Sequence, residues 1–234
     1  MLIGFMDMLT RFRVSILLAC LCLSTVGLEA EEPIVVIETS LGDVHVQLSP
    51  KDAPKTVENF LKHVRSGAYK DLIFHRVIAG FVIQSGGYNA DLAEVESEIS
   101  IYNEAANGLS NVRGSIAMAR GDEIDSAAQQ FFINTEDNTR LDYTELSCTR
   151  EDETRHLELQ ERGLNKPVTC ASYGYAVFGH VIKGMDIVEE IEIVETEDRE
   201  DFYDIPISPI RLIDISLRKL PISDKKIQKE VEGK

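Results

Sequence analysis

The chain has 234 residues, 44% hydrophobic and 27% charged, with 24 basic against 40 acidic side chains and a net charge of −16. Those proportions suit a globular protein of one domain with appendages and exclude a disordered, collagenous or coiled-coil chain. So acidic a chain repels nucleic-acid phosphates and anionic lipid heads, and neither is expected as a partner.

Arg11 and Arg13 precede an apolar run of thirteen residues, 14–26. That run is too short to span a bilayer as a helix, which needs about 20 residues. A basic stretch followed by an apolar one of this length reads as a secretory signal over 1–30, with cleavage after Ala30 or Gly27. The alternatives are a short anchor, a buried helix, or a lipoprotein signal at Cys20. Export to the periplasm or the exterior follows, with no membrane association after cleavage.

Residues 34–39 are β-branched and bounded by Pro33; after a Ser40-Leu41-Gly42 turn, 43–48 alternate Val44, Val46 and Leu48 with polar neighbours. This predicts a strand pair. A helix follows, with Asp52 as N-cap, Pro54 in its first turn, a stripe of Val57, Phe60, Leu61 and Val64, and Gly67 as its stop. Short strands are expected at 74–77, 81–84, 115–119, 131–134 and 175–181, a second apolar-faced helix at 185–193, an acidic loop at 195–204, and a closing strand at 210–217. The tail, 221–234, is charged. Many short strands with two core helices point to an antiparallel barrel or sandwich.

Residues 142–174 interrupt this pattern. Within them 150–162 is polar, with Glu151/Arg155 and Glu158/Arg162 at helical spacing, before Gly163 and Pro167 break the run. Cys148 and Cys170 bracket the piece. In an exported chain such a pair predicts a disulfide, with free thiols or a metal site as the alternatives. Closing a loop of that size stabilises by about 3 kcal/mol in the chain-entropy reading. The five histidines, at 45, 63, 75, 156 and 180, lack ligand spacing, so no metal is expected.

Two segments carry the chemistry: Phe74-His75-Arg76-Val77-Ile78-Ala79-Gly80-Phe81-Val82-Ile83-Gln84, and Ser115-Ile116-Ala117-Met118-Ala119-Arg120 followed by Ser126-Ala127-Ala128-Gln129-Gln130-Phe131-Phe132-Ile133-Asn134. With Thr56-Val57-Glu58-Asn59-Phe60 and Gly174-Tyr175-Ala176-Val177-Phe178-Gly179, these resemble the cyclophilin family of peptidyl-prolyl cis/trans isomerases, and look most like its bacterial periplasmic members.

The resemblance covers about 34–220, placing the isomerase domain at 31–220 with the excursion as an insertion. It implies a closed eight-stranded antiparallel β-barrel capped by two α-helices, with the site on an outer face. By motif, Arg76 is the catalytic arginine and Gln84 holds the substrate amide. Phe81, Val82, Phe132 and Leu141 line the proline pocket. Met118, Ala119, Arg120, Gln130 and Tyr175 line the groove beside it. His75 is read as structural, because isomerisation moves no proton.

The family's eukaryotic members carry tryptophan before the leucine that matches Leu141; here Arg140 stands there. The implied protein is a monomer without cofactor, acting on proline-containing unfolded or partly folded polypeptides. A non-catalytic chaperone or assembly factor that holds proline segments is the rival reading.

Overall fold

The computed structural model describes residues 32–95, 99–163, 170–199 and 201–218. The signal at 1–30, the tail at 221–234 and the break at Pro167 lie outside them. Among the described residues ten strands form: β1 (Ile34–Thr39), β2 (Gly42–Leu48), β3 (Leu72–Ile78), β4 (Val82–Asn89), β5 (Ser115–Met118), β6 (Phe131–Asn134), β7 (Val177–Lys183), β8 (Thr196–Arg199), β9 (Phe202–Pro206) and β10 (Arg211–Leu217). Eight close into an antiparallel barrel in the order β1-β10-β3-β4-β6-β5-β7-β2, and β8 pairs with β9 alone. The segment expected as an acidic loop is therefore a hairpin. Phe202 places its ring edge-on to Tyr88 at 5.0 Å, burying one face of a stretch whose charges otherwise mask its strand pattern.

Helix α1 (Pro54–Ser66) plugs the barrel with the predicted stripe. Phe60 is fully buried and meets Tyr69, Phe131 and Phe178 with ring centroids 5.3, 5.8 and 5.0 Å away. Gly67 ends the helix at φ 71°, a left-handed conformation that favours glycine. The N-terminus corrects the sequence reading: Ala53, not Asp52, is at the cap position, and no side chain of that segment caps it. Glu104 does so from a distant loop, its carboxylate accepting from the backbone N–H of Lys55 and Thr56 (3.2 and 2.8 Å) and from the Thr56 hydroxyl (2.7 Å). An anion there suits the helix dipole. Helix α3 (Met185–Glu192) buries Val188 and Ile191 in the same core.

The excursion carries α2 (Arg150–Glu161), as its charge pattern predicts. Its expected disulfide is absent: Cys148 and Cys170 are free thiols packed against each other. Burial first, then its contact with Cys148, pushes the Cys170 thiol up to about 12, which keeps this thiol protonated near pH 7. The excursion is fastened by Arg150 instead. Its guanidinium donates to both oxygens of Asp125 (3.1 and 2.8 Å), to the Tyr173 hydroxyl (2.7 Å) and to the Asn103 carbonyl (3.1 Å), and it stacks on Tyr102 at 3.7 Å.

Candidate active site

Strand register assembles one row of side chains across five strands. Arg76 on β3 pairs with Gln84 on β4, Gln84 with Phe132 on β6, Phe132 with Ala117 on β5, and Ala117 with Val177 on β7. The rows on either side point inward: Phe74, Ser85, Phe131 and Met118 on one side, and Val77, Ile83, Ile133 and Ile116 on the other, are all buried. Period-two alternation therefore turns the Arg76 row onto the outer face. Residues two apart on a strand ordinarily share a face, yet Phe74 points in and Arg76 out. The register shifts between them, leaving His75 as the extra residue of a β-bulge that re-aims Arg76.

A chain of polar groups runs behind the row. Arg76 Nη1 donates to Gln84 Oε1 at 3.4 Å, and Gln84 Nε2 donates to Gln130 Oε1 at 2.9 Å. Gln130 in turn hydrogen-bonds the His75 ring. A Cβ on Gly87 would stand 2.5 Å from Gln130 Nε2, so the glycine makes room for this amide. His75 is buried, with Tyr88 against it at 4.8 Å. Burial lowers its pKa to about 4, against the Gln130 bond, which raises it, and with the Arg76 charge lowering it further. It is neutral near pH 7 and packed away from solvent.

Beside the polar chain is an apolar wall. Val82, Ala117, Phe132 and Val177 form a buried cluster separate from the barrel core, with Phe81, Ala119, Leu141 and Tyr175 partly buried against it. Tyr175 meets Phe132 edge-on at 5.6 Å. The Phe81 carbonyl accepts from the backbone N–H of Thr135 (3.0 Å) and from Asn138 Nδ2 (2.8 Å). Just before it, the Gly80 N–H donates to Glu192 of α3 at 2.6 Å. Two guanidiniums approach the Phe81 ring, Arg76 at 5.9 Å and Arg140 at 4.6 Å.

An open cavity of about 1000 Å³ adjoins Gln84 and Gln130, lined also by Ala119, Arg120, Tyr88 and Glu94. Arg120 donates to the Gly174, Cys170 and Gly121 carbonyls (3.1, 3.1 and 2.9 Å) and lies 4.9 Å over Tyr175, tying the excursion to this groove.

Arg76, Phe81, Val82, Gln84, Ala119, Arg120, Gln130, Phe132, Leu141 and Tyr175 thus gather on one outer face. Met118 does not join them: its side chain is 1% exposed inside the barrel. Ala117 and Val177 occupy the outer row instead. Alternation along Ser115–Met118 is the signal that separates them, since Ile116 and Met118 share the inward face.

Residues 34–215 match the family described as cyclophilin type peptidyl-prolyl cis-trans isomerase/CLD. The chain belongs to the cyclophilin family. Among curated relatives, peptidyl-prolyl cis-trans isomerase A of Dickeya dadantii is 39% identical over 75% of this chain and 80% of that one. A peptidyl-prolyl cis-trans isomerase of Acinetobacter baylyi is 36% identical over 89% and 96%. Isomerase B of Escherichia coli is 39% identical over 74% and 92%. The crystal structure of a Cryptosporidium parvum cyclophilin type isomerase superposes with a TM-score of 0.59 at 24% identity, covering 81% of this chain and 99% of that one, a likeness of fold. This cyclophilin is a peptidyl-prolyl cis-trans isomerase, and its named bacterial relatives are matched over most of their length.

Proposed function

We propose that this isomerase acts on proline-containing segments of unfolded or partly folded exported proteins, with Arg76 as its catalytic group. One observation carries the assignment: Arg76 and Gln84 stand in register on the outer face, beside the apolar cluster of Phe81 and Phe132.

An X–Pro bond turns over a barrier of about 18–20 kcal/mol, taking tens to hundreds of seconds unaided. Twisting it breaks amide resonance and returns a lone pair to the proline nitrogen. A guanidinium aimed at that nitrogen binds the twisted state better than the planar one, which is how binding becomes rate. Arg76 has five N–H donors, of which Gln84 accepts one. The Gln130 carbonyl takes the Gln84 amide N–H, leaving the Gln84 carbonyl toward Arg76 and holding that guanidinium in place. Phe81, Val82, Phe132 and Leu141 hold the proline ring, while Ala119, Gln130 and Tyr175 border the chain leading to it. No proton moves, so neutral, buried His75 shapes the bulge and braces Gln130.

Export rests on the basic-then-apolar pattern of residues 1–30, which as a cleaved signal leaves a periplasmic or secreted chain. The 142–174 excursion is read as a surface loop fastened beside the groove.

Refolding tests this function against the rival of a proline-segment holder. Substoichiometric amounts of the mature chain are expected to speed the proline-limited phase of an unfolded exported protein without changing its yield. Slowed refolding, or an effect only at equimolar amounts, would mark a holder instead.

A further inference from the structure

Arg140 gives the proline pocket a second cation. It stands in a 3-10 turn, Thr139–Leu141, next to the pocket residue Leu141, and its side chain is exposed. Its guanidinium lies 4.6 Å over the Phe81 ring, a cation–π contact that keeps the charge on the pocket rim. The backbone beneath it is held as well. The Leu141 N–H donates to the Asn138 carbonyl at 2.8 Å, and Asn138 Nδ2 donates to the Phe81 carbonyl at 2.8 Å and to Asn134 Oδ1 at 2.9 Å. Asn138 is buried, so turn and ring move as one piece.

We propose that Arg140 is a specificity-determining residue that favours client segments with a carboxylate side chain beside the proline, and disfavours those with lysine or arginine there. The inference rests on the isomerase reading of the Phe81 pocket. Arg76 and Arg140 both approach the Phe81 ring, so a client charge beside the seated proline meets two positive groups on a protein whose net charge is −16. A positive client group there loses water and gains repulsion. A carboxylate finds a planar fork already in position, and a preorganised partner costs little further ordering. Because the site is open to solvent, the discrimination is modest, about threefold, and falls with salt.

Exchange NMR on short peptides tests this. A neutral Ala-Ala-Pro-Ala peptide is compared with versions carrying Glu or Lys, placed in turn just before or just after proline. For at least one side, the Glu version is expected to give a kcat/KM about threefold above the Lys version at low salt. That ratio falls toward one in Arg140→Gln, where Arg76 alone remains, and returns in Arg140→Lys, which restores the charge without the planar fork. Equal rates for Glu and Lys on both sides, or a ratio unchanged in Arg140→Gln, overturn the proposal while the neutral peptide still turns over. A loss common to all peptides in Arg140→Gln makes the residue a packing lid on Phe81 and overturns it equally. If the wild-type chain does not turn over the neutral peptide, the isomerase reading fails, and this proposal with it.

Discussion

Arg76→Ala is expected to lower kcat/KM on an Ala-Pro peptide by about 10²–10³, the usual cost of removing one preorganised donor aimed at developing charge. Stability should change by no more than about 1 kcal/mol, because Arg76 is on the outer face and contributes nothing to the barrel core. Exchange NMR measures the first and thermal unfolding the second. Arg76→Lys should recover little, since an ammonium cannot share one donor with Gln84 and aim another in the same plane. A variant that kept near-wild-type turnover would remove Arg76 from the mechanism.

The largest effect on stability is expected at Phe60. Its ring joins α1 to Tyr69, Phe131 and Phe178 and is wholly excluded from solvent. Phe60→Ala should cost about 3–5 kcal/mol, through lost transfer energy and the cavity left in a close-packed plug. Urea unfolding reads this as a lower midpoint at an unchanged slope. A cost below about 1 kcal/mol would mean that α1 settles into the gap and that the barrel does not depend on its plug.

Local patterns announced what local forces decide. Alternation at Val44, Val46 and Leu48, and the stripe of Val57, Phe60, Leu61 and Val64, were legible because each shows one buried face. Features that depend on distant partners were hidden. The α1 cap comes from Glu104, 48 residues away along the chain, so the nearby Asp52 was the natural but mistaken choice. The β8–β9 hairpin is charged along β8 and shows its apolar side only in β9, through Phe202 against Tyr88 and the buried Ile205. The disulfide expectation rests on compartment and spacing; the structure does bring Cys148 and Cys170 together, but as free thiols, and it fastens the excursion through Arg150, a partner that spacing does not reveal.

At the site, the family motifs named residues that the barrel register brings together. They did not indicate the phase shift that aims one of them. The bulge at His75 sends Arg76 outward, and periodicity taken from Phe74 would have sent it into the core. The same phase question separates Ala117 from Met118 on β5. A signal for Arg140 was present, as a charge where the family's eukaryotic members place tryptophan, but only its position over Phe81 gives that charge a role.

The most direct test is to follow an Ala-Pro peptide and the wild-type protein in one NMR titration, reading peptide exchange and protein amide shifts together. Cis–trans exchange far faster than the uncatalysed tens of seconds is expected, with the shifted amides concentrated at Arg76, Gln84, Phe132, Ala117 and Val177 along the outer row. Exchange no faster than the free peptide's, or shifts confined to surfaces away from that row, such as the β8–β9 hairpin, would contradict the assignment of this face as the isomerase site.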